Sequence, residues 1–293
     1  MQINPYAALV SGILAVSTGA IFVRLADAPA LVIAAYRVGI AALLLIPLAA
    51  WRSRAEILTL TPRDLRLSAV SGLFLALHFA TWITSLSYTS IANSVVLVNT
   101  NPLWVAVFTP FITGERTRKG VMAGIGMSIA GVVMIGAGDL AGSYRTLGGD
   151  LLALAGSICA AVYLLLGRTL RQKLSLMTYV TVCYTSAAVF LWLFVFAFQL
   201  PVRGFDNRTW FFMGALALVT QLVGHTCYNW ALKWFSTGLI AVSLLGEPIG
   251  STLLAYVIFG EKVTGLKMAG GVLILSAIYL SAVGEKERNG AQK

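Results

Sequence analysis

The sequence contains few charged side chains. Only 11% of its 293 residues are Asp, Glu, Lys or Arg, whereas 58% are hydrophobic. Water-soluble domains carry about 25% charged and about 45–50% apolar residues, so this composition excludes an ordinary soluble domain. The apolar residues occur in runs of about 20, which is the length of a helix that crosses the hydrocarbon core of a bilayer. The composition therefore predicts an all-α polytopic membrane protein.

Cysteine and histidine are also scarce, with three and two residues. Cys159, Cys183 and Cys227 are far apart in apolar segments, so we expect buried thiols rather than disulfides. No cysteine or carboxylate completes a metal-ligand set around either histidine. The sequence thus predicts no metal and no cofactor, and it has no paired catalytic groups that would indicate an enzyme.

Acidic residues are outnumbered by basic ones, 11 against 21, which gives a net charge of +10. A soluble protein of this charge would suggest nucleic acid as a partner. In a membrane protein the excess is typical of cytoplasmic loops, so we expect a lipid bilayer and no nucleic acid. With the N-terminus inside, 14 of the 21 basic residues fall in cytoplasmic segments and six in outer loops. Both termini are therefore predicted to be cytoplasmic.

Ten apolar segments, bounded by charged or turn residues, are long enough to span a bilayer. The connections between them are short, so neighbouring helices are antiparallel and no soluble domain is inserted. The predicted spans are residues 4–25, 29–51, 63–87, 91–113, 118–137, 147–170, 176–199, 208–233, 236–259 and 264–284.

One stretch occurs twice in the chain. Asn101-Pro102 is followed by Gly114-Glu115, and 146 residues further on Glu247-Pro248 is followed by Gly260-Glu261. Five spans per half is an odd number, so the two halves have opposite orientations. Such inverted repeats are typical of transporters that work by alternating access. The predicted units are a first repeat (1–140), a second repeat (147–284) and a cytoplasmic tail (285–293).

Both prolines of the repeated stretch lie inside apolar spans. A proline in a helix interior removes one hydrogen bond and displaces the carbonyl four residues earlier. In lipid, the freed carbonyl has to face protein or a hydrated cavity. We therefore predict that Pro102 and Pro248 are hinges and that Asn99 and Asn101 contact a solute. The alternative is that the two amides satisfy broken backbone or hold helices together.

Glu247 is the only acidic residue deep within a predicted span. A carboxylate at this depth is costly when charged and marks a proton relay, an ion site or a ligand contact. Its counterpart Asn101 cannot ionise, which excludes a symmetric pair of carboxylates. Protons are therefore a candidate partner, and the alternative is a neutral, hydrogen-bonded structural carboxyl group.

Two further spans carry polar side chains at helical spacing. His78 and Trp82 are four residues apart on the third span, and Gln221, His225 and Asn229 follow one another at the same spacing on the eighth. The histidines occupy roughly corresponding positions in the two halves. Because imidazole can bind a carboxylate, shuttle protons or bridge helices, we expect these side chains to line a cavity.

Aromatic side chains away from the membrane interfaces, including Trp104 and Tyr163, suit the walls of such a cavity and suit ordinary packing equally. Arg37 lies about eight residues into the second span, where snorkelling, pairing with backbone carbonyls and binding of a solute carboxylate are the alternatives. The Gly- and Ala-rich fifth and tenth spans favour close helix packing or a homodimer.

The two inverted halves, the residues Ala35-Tyr36-Arg37 with Ala41-Ala42-Leu43, and the doubled Pro…Gly-Glu stretch resemble the bacterial drug/metabolite transporter superfamily, EamA type. Within it the chain looks most like the YddG-type exporters of aromatic and neutral amino acids. The resemblance implies a basket-like bundle in which spans 1–4 and 6–9 enclose a central cavity and spans 5 and 10 pack outside. It also implies export from the cytoplasm, either facilitative or coupled to protons.

The combined prediction is a secondary transporter that exports small metabolites across the bacterial inner membrane, above all amino acids including aromatic ones. The alternatives are a multidrug or cationic-compound exporter and a phosphorylated-solute or nucleotide-sugar translocator. The predicted solute-binding residues are His78, Trp82, Asn99, Asn101, Trp104, Tyr163, His225, Asn229 and Glu247.

Overall fold

A computed structural model describes residues 4–89, 91–114, 119–136, 144–260 and 264–291. The described residues form fifteen α-helices and one π-helical segment, Leu216–His225, and contain no β-strand. The α-helices are α1 (Pro5–Ser17), α2 (Gly19–Leu25), α3 (Ala30–Arg52), α4 (Arg54–Leu58), α5 (Pro62–Ser85), α6 (Ile91–Val98), α7 (Asn101–Ile112), α8 (Lys119–Gly136), α9 (Tyr144–Arg171), α10 (Leu176–Ala197), α11 (Asn207–Ala215), α12 (Thr226–Ala231), α13 (Thr237–Leu244), α14 (Gly246–Phe259) and α15 (Gly265–Ala291).

Seven helical stretches among the described residues are long and apolar enough to cross a membrane. They are Pro5–Leu25, Ala30–Arg52, Pro62–Ser85, Leu147–Arg171, Leu176–Ala197, Asn207–Ala231 and Thr237–Phe259. Three shorter apolar helical stretches are Asn101–Ile112, Gly120–Gly131 and Met268–Leu280. The protein is therefore an all-helical, multi-pass membrane protein, and the arrangement of ten spans in two inverted halves stays a prediction.

Polar residues at the ends of the apolar stretches determine where several helices begin. Thr61 accepts a hydrogen bond from the Asp64 backbone N–H at 3.1 Å at the start of α5. At the start of α10, Ser175 accepts from the Thr178 N–H at 3.3 Å. These side chains satisfy backbone donors that have no partner within the first helical turn, so the sequence itself marks these helix starts.

The two prolines of the repeated stretch lie next to helix interruptions. Helix α6 ends at Val98 and α7 begins at Asn101, so Pro102 lies in the first turn of α7. Helix α13 likewise ends at Leu244, and Pro248 lies in the first turn of α14. The sequence predicts a bend within a continuous helix, whereas the structure shows two helices that stop and restart. The first turn suits proline because its missing N–H is not needed there.

Glycines allow close contact between several helices. A Cβ atom on Gly72 of α5 would overlap the Cys183 carbonyl oxygen and would lie 2.7 Å from Ser186 Cβ on α10. A Cβ on Gly131 of α8 would lie 2.7 Å from the Gly270 carbonyl oxygen of α15. The glycine-rich faces of the fifth and tenth predicted spans therefore pack against each other within one chain. A homodimer stays a prediction.

Large apolar side chains cover much of the outer surface. Phe111 is 83% exposed, Val257 75% and Leu43 70%, which matches helices whose outer faces contact lipid. Glu115 and Glu261 of the repeated stretch, and residues 137–140 at the predicted end of the first repeat, lie outside the described residues.

Candidate functional site

A cavity lies between helices from both halves of the chain. Its volume is about 40 Å³, which is room for only a few water molecules, since one water needs about 10–15 Å³. The lining comes from α1, α3, α5, the α6–α7 interruption, α9, the π-helical segment, α12, α13 and α14, and no described residue of α8 or α15 belongs to it. The lining residues are Val16, Arg37, His78, Trp82, Val98, Asn99, Asn101, Ala160, Tyr163, Leu164, His225, Tyr228, Leu244 and Glu247.

Most of the side chains predicted to bind a solute come together in this cavity. The structure places two of the predicted residues, Trp104 and Asn229, outside the lining. The seven that line it are His78, Trp82, Asn99, Asn101, Tyr163, His225 and Glu247.

Trp104 packs away from the cavity. Its ring lies beside Phe108, with 6.2 Å between the ring centroids, and against an apolar cluster that includes Ala161 and Ala241. Its indole N–H is buried and has no hydrogen-bond partner among the described residues. Trp104 thus takes part in the packing of α7 against α9 and α13.

Asn229 lies directly behind the cavity wall. It is completely buried, and its side-chain amide donates hydrogen bonds to the hydroxyl oxygens of Tyr163 and Tyr184, the second at 3.2 Å. His225 is the last residue of the π-helical segment and Asn229 lies in α12, about one α-helical turn further along. The Asn229 amide nevertheless faces the two tyrosine hydroxyls. Asn229 therefore positions Tyr163 instead of lining the cavity.

Arg37 is the charged lining residue that the predicted set leaves out. Its side chain is 2% exposed, and its Nε donates a hydrogen bond of 3.0 Å to Gln221 Oε1. The guanidinium carbon lies 4.1 Å from the centroid of the Phe79 ring, which is a cation–π contact. Arg37 therefore points into the protein and does not snorkel to the interface.

Arg37 and Glu247 give the cavity one positive and one negative side chain. They interact electrostatically, yet no ion pair within 4.0 Å joins them; the Lys173–Asp64 pair lies elsewhere. Within the described part of the chain, neither the terminal nitrogens of Arg37 nor the carboxylate of Glu247 has a hydrogen-bond partner. Both charged ends are therefore available to a ligand in the space that they share.

The two histidines line the cavity in different settings. His78 Nδ1 is 2.9 Å from the Gly156 carbonyl oxygen, and because a carbonyl only accepts, Nδ1 carries the hydrogen. The His78 ring also stacks on Trp82 at 6.0 Å. The His225 ring meets Phe79 edge-on at 5.2 Å and makes no hydrogen bond to a described residue. The two imidazoles therefore leave Nε2 of His78 and the ring nitrogens of His225 for other partners.

Several other polar atoms around the cavity have no hydrogen-bond partner in the described part of the chain. They are the indole nitrogen of Trp82, Oδ1 of Asn101 and the hydroxyl oxygen of Tyr228. Leaving a buried polar group unsatisfied costs about 1–3 kcal/mol, so these atoms are suited to hydrogen bonds with water or a solute. Asn99 differs, because its amide donates to the Val95 carbonyl at 2.8 Å and so satisfies backbone beside the helix interruption.

Among the described residues, no three His, Cys, Asp or Glu side chains are placed to hold a metal ion. The polar groups of the cavity are instead an arginine, a glutamate, amides, imidazoles and aromatic N–H or O–H groups. Such a set can bind an organic solute that carries both charges and hydrogen-bonding groups, with apolar parts against the rings.

The chain is similar in sequence and fold to known proteins. The EamA-like transporter family matches residues 4–137 and 147–283. An uncharacterized transporter of Archaeoglobus fulgidus is 27% identical over 217 residues, 73% of each chain. A probable amino-acid metabolite efflux pump of Salmonella typhimurium is 25% identical over 192 residues, 62% of this chain and 64% of that protein. A solved crystal structure covers 98% of this chain and 99% of its own, with a TM-score of 0.77 and 22% identity, and it shows the fold alone.

Proposed function

This chain belongs to the EamA-like transporter family, and we propose that it exports amino acids, including aromatic ones, across the bacterial inner membrane. The observation that carries the proposal is the cavity that brings Arg37 and Glu247 together among aromatic side chains. Intramembrane charged residues are costly and mark solute or ion pathways. The name of the Salmonella relative, a probable amino-acid metabolite efflux pump, supports the same solute class.

The aromatic lining suits solutes with an apolar side chain. Trp82, Tyr163 and Tyr228 all contribute to the cavity and are almost fully buried. Ring faces and edges bind aliphatic and aromatic groups alike, which fits an exporter of neutral amino acids with a preference for larger side chains.

Transport requires the cavity to open wider than it does in this conformation, because about 40 Å³ does not hold a bulky amino acid. The interruptions before Pro102 and Pro248 lie beside Asn101 and Glu247, so a movement there changes the cavity directly. In the proposed cycle these interruptions are the hinges. Two inverted halves of five spans move against each other about a solute, and both termini face the cytoplasm.

Glu247 is the group through which a proton gradient can act. Its carboxylate faces the cavity and has no hydrogen-bond partner among the described residues, so gaining or losing a proton changes what the cavity binds. If export is coupled to protons, the transport rate of the Glu247→Gln variant no longer depends on pH. If export is facilitative, the replacement leaves the response of the transport rate to pH unchanged.

An exporter of cationic drugs is the second candidate, favoured by the same Glu247 carboxylate and aromatic walls. Arg37 argues against it, because its buried guanidinium lies in the same cavity and repels a cation. A phosphorylated solute is less favoured still, since Arg37 is the single Lys or Arg among the residues that line the cavity.

A counterflow screen in proteoliposomes tests the proposal. Proteoliposomes that contain the purified protein are loaded with one unlabelled candidate solute at a time, and uptake of the same compound in labelled form is then measured. The candidates are L-phenylalanine, L-leucine, L-alanine, ethidium and tetraphenylphosphonium. We expect uptake of the amino acids above the level of protein-free liposomes. Uptake of only the organic cations would replace this proposal by the second candidate.

A further inference from the structure

We propose that the cavity recognises the zwitterionic head of an α-amino acid, with Arg37 binding the carboxylate and Glu247 binding the ammonium group. This inference rests on the proposed function and deepens it, because it assigns the two charged contacts. With these two contacts the cavity binds a zwitterion more tightly than an amine or an acid of the same size, a selectivity that aromatic walls alone do not provide.

The setting of Arg37 leaves its forked end available. Gln221 occupies Nε at 3.0 Å, and the guanidinium face rests on Phe79. The two terminal nitrogens make no hydrogen bond to the described residues, although the residue is only 2% exposed. A planar guanidinium fixed in this way presents two parallel N–H donors, the geometry that binds a carboxylate with two hydrogen bonds.

Glu247 provides the complementary group. It lies in the first turn of α14, beside the helix interruption, and its carboxylate oxygens accept no hydrogen bond from the described part of the chain. A carboxylate accepts several hydrogen bonds at once, and a primary ammonium group donates three. An ammonium group between Glu247 and the polar atoms nearby therefore satisfies both sides.

The separation of the two charges is the decisive feature. Two opposite charges that line one cavity at membrane depth normally pair, because each is costly alone, yet Arg37 and Glu247 are not within 4.0 Å of each other. A zwitterion supplies one counter-charge to each and adds no net charge to the cavity. An amine leaves Arg37 without an anion, and an acid leaves Glu247 without a cation.

The solute side chain then lies against aromatic rings. Trp82 and Tyr228 each carry a buried polar atom without a partner, and both line the same space. Their ring faces contact an apolar or aromatic side chain of the solute, while their N–H and O–H groups are available to its carboxylate and ammonium groups. The arrangement thus favours neutral amino acids over those with a third charge.

Competition in proteoliposomes tests the pair without altering the protein. Counterflow of labelled L-phenylalanine is measured against unlabelled L-phenylalanine, phenethylamine, which lacks the carboxylate, and 3-phenylpropionate, which lacks the ammonium group. Each analogue loses one charge-assisted contact, so we expect each to inhibit at least about tenfold more weakly than L-phenylalanine. Equal inhibition by all three would overturn the assignment while leaving amino-acid export in place.

Two variants assign the contacts to residues. In Arg37→Gln, we expect L-phenylalanine to inhibit counterflow no more strongly than phenethylamine does. In Glu247→Gln, we expect it to inhibit no more strongly than 3-phenylpropionate does. Lys173→Gln is the matched control, because it removes a charge that is 58% exposed and pairs with Asp64 away from the cavity. Unchanged discrimination in both cavity variants would contradict the proposal.

The outcomes separate this inference from the proposed function. If the wild-type protein moves no amino acid, both fail. If it moves L-phenylalanine but discriminates equally well without Arg37 and Glu247, only the recognition of the zwitterion fails. Size-exclusion chromatography in detergent shows whether each variant folds. If a variant does not fold, the competition assay on the wild-type protein decides whether the cavity recognises the zwitterion.

Discussion

Arg37 Nε donates a hydrogen bond of 3.0 Å to Gln221 Oε1, which joins two buried side chains 184 residues apart in the chain. The bond connects α3 to the π-helical segment, and so links the two predicted halves beside the cavity. It fixes the guanidinium group, whose terminal nitrogens make no hydrogen bond to the residues that the structure describes. Gln221 does not line the cavity, so it acts through the orientation of Arg37.

Replacing Gln221 tests this positioning role. Gln221→Met leaves Nε of Arg37 buried without an acceptor, which costs about 1–3 kcal/mol of stability, and we expect a higher KM for amino-acid counterflow. Gln221→Glu keeps an acceptor but adds a carboxylate that competes with the solute for Arg37. It should unfold near the wild-type temperature in detergent and still show a raised KM. A KM unchanged in both variants would rule out the role.

Asn229 is expected to act through Tyr163. Asn229→Leu removes the hydrogen bonds to Tyr163 and Tyr184, and we expect a loss of about 1–3 kcal/mol in stability together with slower counterflow. Tyr184→Phe is the matched control, since it removes one of these partners and leaves the bond to Tyr163. It should have the smaller effect on transport. Equal effects on counterflow would contradict a role of Asn229 through Tyr163.

Glu56 couples pH to stability outside the membrane spans. Its carboxylate accepts hydrogen bonds from the Ser175 backbone N–H at 2.7 Å and from the Thr178 hydroxyl at 2.6 Å. Partial burial raises its pKa, but these hydrogen bonds and nearby Arg171 outweigh that effect, and the pKa lies below its ordinary value. The stabilisation is therefore present above the pKa of the unfolded chain and is lost as pH falls through the folded pKa.

The measurement is the unfolding temperature of detergent-solubilised protein as pH is lowered from about 5 to about 3, the range around the ordinary pKa of glutamate. We expect it to fall less steeply in Glu56→Gln than in wild type. Thr178→Val removes one of the two donors and should give an intermediate slope. Three identical slopes would show that Glu56 contributes nothing to acid sensitivity.

Gly72 is required for the contact between α5 and α10. A methyl group there would overlap the Cys183 carbonyl oxygen, so we expect Gly72→Ala to destabilise the protein by about 1–3 kcal/mol. Gly214→Ala is the control, because it lies within helix α11 and a Cβ there would meet no atom within 4 Å. That change should be neutral or stabilising. Thermal unfolding of the two variants in detergent compares them directly, and equal unfolding temperatures would disprove the close contact.

The sequence allows the helical membrane architecture and most of the cavity to be predicted. Charges deep in apolar spans are rare, so Glu247 stands out, and the doubled proline stretch points to the polar residues next to each helix interruption. The spacing of His78 and Trp82 holds because α5 is a regular helix. Each of these signals depends on local chemistry that a single segment contains.

The remaining features depend on contacts between segments. No local pattern marks residues 216–225 as π-helical, and this change of spacing turns Gln221 away from the face of His225. Asn229 is held by Tyr163 and Tyr184, which are distant from it in sequence. The role of Arg37 depends on Phe79 and Gln221, which are distant in sequence. Arg37 nevertheless differs from the other basic residues in the sequence, because it is the single Lys or Arg far from the ends of the predicted spans, as Glu247 is the single deep acid.

The most direct test of the account is amino-acid counterflow by a protein whose cavity is filled. Ala160 lines the cavity and is 6% exposed, whereas Leu151 on the same helix is 58% exposed. Ala160→Trp places an indole in the space for the solute, and Leu151→Trp places one on the outer surface of α9. We expect L-phenylalanine counterflow to be lost in a folded Ala160→Trp protein and retained in Leu151→Trp. Counterflow at the wild-type rate in both proteins would contradict it.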